Sequence, residues 1–589
     1  MYKETDRQAP LFGVKNSLGE LARRRLERSW AERFVVTVYP VLLEVESLFA
    51  HLYGPTGRPN WSVARVLGVC LIQEMNALSD QAALDALTFD ARWRYALGFE
   101  EGEDSYLSRQ ALIEFRSRLA KNDPEGELLK EVFYRLTATA YEDLGLSTSK
   151  QRVDSTLIRS NIRSLSRYDL LVTTLKQAIQ LLHREHKQAY EQLSVSLKEW
   201  YEDKEKRGWF GDKGSRLPMA QIGEWLFEVV ERCSDDEQLG SLEAIQLVTR
   251  AFEENFLMGP DPDPDPDKEP VPQEEQGEEP APKKEQSEEP APEGEQGGEP
   301  APKEEQSEES ASKEEQGEEP VPDENSKAIL LRKHSVKVSH DTTLQSPFDP
   351  DAGKGHKGSG YMVQITETCG NESTELITSY DILAGNVPDQ NQSQVRLTEL
   401  ESRGMKPKIL YADAGYITAL ALEFASEMSV YLHGPMYKQK NETDYLRIDF
   451  EYNEDGTIQV CPEGQKPRKH TMRKYEATED RFPTALFDPE ACNNCEKTCP
   501  VYLRENSAAL ILVDRLLLRD QRLSEQENRD WWLEYKIRSG VEGTVSETKR
   551  AHGLGQLRVR KSSRVTIAVS LKMMACNAKR WIKATAKAA

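Results

Sequence analysis

The sequence predicts a mixed α/β chain in which a sheet with helices is interrupted by large insertions and preceded by a helical domain. Three patterns carry this prediction. Apolar residues repeat at helical spacing over 60–120 and 166–257. Short β-branched runs bounded by Gly, Pro, Asn or Asp crowd the stretch after 330, and helical periodicity returns near 525 and runs almost to the end. At 589 residues the chain exceeds the roughly 100–200 residues of one domain, so it reads as an assembly of modules.

In chain order, residues 1–148 form the helical N-terminal part. Val63, Val66, Leu67, Cys70, Leu71 and Met75 share a helical face, and Ser79-Asp80 restarts a helix at Gln81. The stretch QRVDSTLI, within 149–165, is a short β-like run carrying Asp154. A helical insertion follows over 166–258, with Leu171, Leu175, Ile179 and Leu182 on one face. Residues 259–327 are low-complexity, opening PDPDPDPD and continuing in units such as QEEQGEEPAP; proline and like-charge repulsion predict an extended, hydrated linker. Residues 328–440 then read as strands: SVKVSHDTT, GYMVQITET, TELITSYDIL and PKILYADAGY. An insertion bearing four cysteines occupies 441–525, and 526–589 is helical and basic. Within it, the apolar run Val565 to Ile582 is expected to pack on the sheet and expose its cations.

The formal charge of −23 argues against a nucleic-acid partner only until its distribution is seen. Between Asp261 and Lys327 lie 25 acidic and 6 basic residues, so the rest of the chain is nearly neutral. From Val545 onward the chain is basic by about ten charges, a plausible footprint for phosphates. No run approaches the roughly 18 uninterrupted apolar residues of a membrane span, and the first twenty residues lack an apolar signal core, so a soluble cytoplasmic protein is expected. Cys70, Cys233, Cys369 and Cys576 are scattered. Cys461, Cys492, Cys495 and Cys499 cluster at a spacing that suits tetrahedral Zn²⁺ in a closed, structural site, with His470 as an alternative ligand.

Three acids are candidates for chemistry. Asp154 sits in its β-like run, and Asp413 ends the strand of KILYADAGY before an Ala-Gly turn, where open α/β sheets present ligand groups. Glu542 belongs to YKIRSGVEGTVSETK, in which Tyr535, Arg538, Glu542 and Lys549 fall within roughly 60 degrees of one another on a continuous helix. One carboxylate between two cations and a phenol is a phosphate-handling set rather than a charge ladder.

Together these residues resemble the insertion-sequence DDE transposases that carry the signature Y-x2-R-x3-E-x6-K. SPFDPDAGKGHKGSGYMVQITET resembles the stretch leading into that family's second strand, and 60–120 resembles its N-terminal domain. The resemblance implies an RNase H-like core with Asp154 on the first strand, Asp413 just after the fourth and Glu542 on a following helix. It implies that these three hold two Mg²⁺ (or Mn²⁺) ions, and that Arg538, Lys549 and Tyr535 contact the DNA backbone or a nucleotide near the break. It implies DNA recombination by phosphodiester hydrolysis and strand transfer on double-stranded DNA in a nucleoid-associated bacterial protein, at least dimeric on DNA. Residues 1–148, with ARRRLERSWAERF at 22–34, would bind the element's terminal repeats. A catalytically silent transposase-derived DNA-binding protein and a metal-dependent nuclease that cuts without joining are the alternatives.

Overall fold

The computed structural model describes residues 1–5, 13–100, 106–162, 165–202, 217–258, 329–337, 342–390, 392–437, 443–474 and 480–588. The acidic linker, 259–327, lies outside the described residues.

A mixed sheet organises the chain. Its strands are β1 (Lys150–Ile158), β2 (Gly358–Thr368), β3 (Ile377–Ala384), β4 (Ile409–Tyr411) and β5 (Tyr431–His433), in the spatial order β3–β2–β1–β4–β5, with a sixth short strand, Gly353–Gly355, paired to the start of β2. β1 pairs antiparallel with β2, Asp154 opposite Ile365, and β2 pairs antiparallel with β3. On its other edge β1 runs parallel to β4, and β4 parallel to β5. Parallel neighbours need crossover connections. The helices Gln392–Ser402 and Ala419–Glu427 provide them, covering Val153, Leu410, Ala412 and Leu432 with Leu397, Ala421, Leu422 and Ala425.

The N-terminal helices do not form a separate body. Val63–Met75, Arg109–Asn122 and Glu127–Leu144 share one core with Ile158, Tyr361, Val363, Ile365 and Tyr380 of the sheet. The run Trp30–Leu52 is long and apolar enough to cross a membrane by length and composition. In the fold it is broken into shorter helical pieces whose Phe34, Val38, Leu42, Val45 and Phe49 are fully buried in this core.

The helix Ser562–Ala588 corrects one expectation. It packs chiefly against N-terminal helices and reaches the sheet at β3 and, through the Arg580–Glu367 pair, at β2; Lys579, Lys583 and Lys587 are exposed as expected, but Lys572 is 9% exposed and paired with Glu74. Its apolar surface is wide enough to be surrounded, as the burial of Val565, Val569, Met573, Met574, Cys576 and Trp581 shows. Two boundaries also shift. The predicted strand SVKVSHDTT is not a strand in its described residues, and the short strand Ile329–Leu331 precedes it. Helical structure resumes at Asp514, not near 525, because Leu516 faces the core on a strongly amphipathic helix, Asp514–Glu525, that packs back on Ala419–Glu427.

The β1-to-β2 connection contains the helical insertion. Arg167–Glu185, Met219–Ser234 and Glu243–Asn255 enclose a core of their own. It is closed by the antiparallel pairing of Phe256–Met258 with Ile329–Leu331, in which Met258 lies opposite Ile329. The second insertion carries a four-stranded antiparallel sheet of Lys469–Lys474, Arg481–Phe487, Ser507–Ile511 and Tyr502–Arg504.

Candidate active site

Asp154 lies midway along β1, flanked by buried Val153 and Ser155. Asp413 follows β4 and caps the 3-10 turn Ala414–Tyr416, its Oδ1 accepting the Ala414 N–H at 2.6 Å. Glu542 occupies the first turn of the helix Gly540–Ala551, which continues directly from the preceding 3-10 turn. The three carboxylates, remote in sequence, meet on the guanidinium of Arg538. Nη2 is 3.0 Å from Asp154 Oδ2 and 3.7 Å from Asp413 Oδ2, and Nη1 is 3.2 Å from Glu542 Oε1.

Their exposure differs. Side-chain exposure rises from 16% at Asp154 to 52% at Asp413 and 64% at Glu542, so the site has a buried floor and an open mouth. Burial pushes the Asp154 carboxyl above the ordinary carboxylate range, against the pull of Arg538. Arg538 is held more firmly protonated than usual, because Asp154 and Asp413 outweigh its own burial.

The signature residues do not share one uninterrupted α-helix. Tyr535 ends the helix Arg529–Tyr535, Arg538 lies in the 3-10 turn Lys536–Ser539, and Glu542 and Lys549 belong to the next helix. The tighter turn still leaves Arg538 and Glu542 paired one turn apart. The Tyr535 hydroxyl donates to the Ala412 carbonyl at 3.1 Å, tying this segment to the strand end that presents Asp413. Burial pushes its phenol up to about 12. Burial, then the charge of Lys357, lowers the Lys549 ammonium, while Asp154 pulls the other way; Lys549 and Lys357 therefore flank the same carboxylate.

Three residues of the site escaped the sequence reading. Lys357 belongs to the Gly-rich turn GKGHKGSG before β2, where repeated glycine with cations was the available signal. Asp389, in the loop after β3, accepts the Ser155 hydroxyl at 2.8 Å and lies beside Tyr416; a Pro-Asp turn alone announces no such role. Glu367 on β2 is completely buried and anchors the helix of Glu542. It accepts from Arg152 at 2.7 Å, from Arg580 at 3.1 Å and from the Thr544 hydroxyl at 2.5 Å, while Arg152 also donates to the Ile537 carbonyl at 2.8 Å. Gly540 makes room for this, since a Cβ there would meet the Arg152 guanidinium at 1.9–2.7 Å.

Beneath Tyr535, His433 is 1% exposed and ringed by Tyr411, Tyr431, Trp531 and Tyr535 at centroid distances of 4.3–5.8 Å. Burial, then Arg522, lowers its pKa from 6.5 to about 4. The unfolded chain therefore binds this proton first as pH falls, and the stability that neutral His433 contributes above pH 6.5 is lost between 6.5 and 4. His433→Phe should flatten the decline of melting temperature across that window in circular-dichroism melts. An unchanged slope would remove His433 as its source.

In the second insertion, Cys461 follows the short strand Ile458–Val460, and Cys492 lies in the helix Pro489–Asn493 with Cys495 and Cys499 just after it. The Gln465 N–H points at the Cys461 sulfur at 3.2 Å. Burial, then the neighbouring Cys499, Cys461 and Cys495, pushes the Cys492 thiol up to about 11. The four sulfurs thus sense one another but do not close to within 4.8 Å as a set. His470 Nε2 lies 3.0 Å from the Ile458 carbonyl oxygen.

Comparison with known proteins adds two family matches. Residues 460–582, which include the four cysteines and Glu542, match the Transposase DDE domain, and residues 24–118 match the Transposase domain (DUF772). No curated protein and no solved structure matches the chain. One match covers the segment that closes the carboxylate cluster and the other covers the helical N-terminus, so both parts of the chain carry transposase domains, the C-terminal one of the DDE class.

Proposed function

We propose that Asp154, Asp413 and Glu542 hold two Mg²⁺ (or Mn²⁺) ions on an RNase H-like core, and that this centre hydrolyses and then transfers phosphodiester bonds at the ends of a double-stranded DNA element. The observation that carries the reading is the convergence of all three carboxylates on Arg538. Three carboxylates gathered at one point offer hard oxygen donors, which suit Mg²⁺. Bound there, two ions supply Lewis-acid stabilisation of the attacking and leaving oxygens.

The chain's own groups do the positioning. Asp154 is fixed by β1 and by the N–H of Ser155, which donates to its Oδ1 at 2.8 Å. Tyr535 steadies the Ala412–Asp413 strand end. Arg538, Lys549 and Lys357 line the approach with cations that can bind phosphate oxygens. The exposed Arg23 and Arg25 of the helix Glu20–Glu27 suit backbone contacts at the element's terminal repeats, and synapsis of two ends calls for at least a dimer on DNA.

The test is an assay of purified protein with Mg²⁺ and labelled DNA bearing the element's own ends, scored against Asp154→Ala. Joined products that vanish in the variant support the proposal. Nicks without joining make the chain a nuclease, and specific binding with no cleavage in Mg²⁺ or Mn²⁺ makes it a silent DNA-binding protein.

The cysteine-bearing insertion supports a structural Zn²⁺ on Cys461, Cys492, Cys495 and Cys499. Its apolar core comprises only Phe450, Ile458, Ala485, Phe487, Ala508, Leu510 and Leu512 among the described residues, with three of the cysteines packed against them. So small a core needs a metal or another cross-link to hold it. Chelation should release zinc and open 443–512 to proteolysis while the six-stranded sheet stays protected. Unchanged proteolysis after zinc loss would rule out the structural role.

A further inference from the structure

The helix that presents Glu542 carries a second donor set toward its other end. Glu547 lies on that helix, His552 caps its C-terminus, and Cys576 reaches it from the helix Ser562–Ala588. One possible ligand atom from each residue lies within 4.8 Å of the other two, the one such trio among the described residues. The protonation pattern of the histidine is set by its surroundings. His552 is fully buried, and its Nδ1 is 2.9 Å from the Glu74 carbonyl oxygen, so Nδ1 carries the proton and donates it there. Nε2 is then a lone-pair donor for a metal, and it is buried with no hydrogen-bond partner among the described residues. A ring N–H fixed on a backbone carbonyl is how ligating histidines are commonly oriented.

The other two residues are also prepared. Arg580 holds Glu547 through Oε2, with Nη2 at 2.7 Å and Nε at 3.1 Å, and neither bond uses Oε1. Cys576 is a free, fully buried thiol. The cations facing the trio are engaged elsewhere as well: Lys572 Nζ on Glu74 and the His552 carbonyl, Lys579 Nζ on the Met75 carbonyl, Arg580 on Glu367.

We propose that Glu547, His552 and Cys576 form a further metal site that takes Zn²⁺. Mixed S, N and O donors select a borderline ion over Mg²⁺ or Ca²⁺. On binding, the Cys576 S–H proton leaves to solvent as the sulfur–zinc bond forms, and thiolate plus carboxylate offset the ion's charge. The ion would tie the end of the Glu542 helix to the C-terminal helix and, through Glu74, to the N-terminal bundle. Its donors are distinct from the three acids at Arg538 and from the four clustered cysteines.

The experiment strips the full-length protein with a chelator and titrates it with Co²⁺, following thiolate-to-cobalt absorption and metal per chain. Wild type should bind one equivalent more than Cys576→Ser and one more than Glu547→Gln, each compared with itself before titration by circular dichroism. Because Glu547 is only partly buried, Glu547→Gln decides the matter if Cys576→Ser does not fold. Equal cobalt content and equal thiolate absorption in wild type and a folded variant would overturn the site and leave His552 and Cys576 as a thiol–imidazole contact.

Discussion

Glu542→Gln is expected to lower metal-dependent cleavage at least about 10³-fold, or about 4 kcal/mol of transition-state stabilisation, with the fold and the affinity for DNA ends unchanged. The asymmetry follows from exposure. The Glu542 side chain is 64% exposed, and its ion pair is with Arg538 at 3.2 Å, one turn away. Such pairs contribute at most about 0.5 kcal/mol to folding, so stability gives no reason for a carboxylate here. What glutamine removes is an anionic donor facing Asp154 and Asp413 across the Arg538 guanidinium. Single-turnover nicking with Mg²⁺, alongside a melting curve and an end-binding titration, separates the two effects. Wild-type nicking by a clean preparation of the variant would take Glu542 out of the centre.

What could be read in the sequence was local. The β-branched run around Asp154, the strand ending before Asp413 and the spacing from Tyr535 to Lys549 each depend on a few neighbouring residues; the first two fall in the strands expected of them, and the third in a helical stretch broken at Lys536–Ser539. The 3-10 turn at Lys536–Ser539 was not legible, since it changes no apolar spacing. Pairings across long gaps were also hidden. Glu367 meets Arg152 only because β2 returns beside β1 after the whole helical insertion. Asp389 approaches Ser155 by the same long-range closure, and no local pattern marks either acid. The C-terminal helix was legible only in part for a related reason: its amphipathic spacing showed that one side is covered, but not that the N-terminal bundle covers it together with the sheet.

That hidden acid gives the largest structural effect. Glu367→Ala should destabilise the folded protein by about 3–5 kcal/mol, the usual cost of removing one partner from a buried ion pair. Glu367 is completely buried, and the Arg152 and Arg580 side chains that it joins are 12% and 13% exposed. Without it two guanidinium groups confront one another; Arg580 keeps Glu547, and Arg152 keeps only the Ile537 carbonyl among the bonds described above. Glu367→Gln, which preserves shape and one acceptor oxygen, should fall between Ala and wild type, because its loss is of charge rather than of volume. Urea unfolding of the three proteins checks the order, and equal midpoints would show that the two arginines are satisfied without Glu367. The same substitutions bear on the active site through position alone. Thr544 and Arg152 tie Glu367 to the turn and helix that present Arg538 and Glu542, so cleavage should fall with stability although Glu367 touches none of the three converging carboxylates.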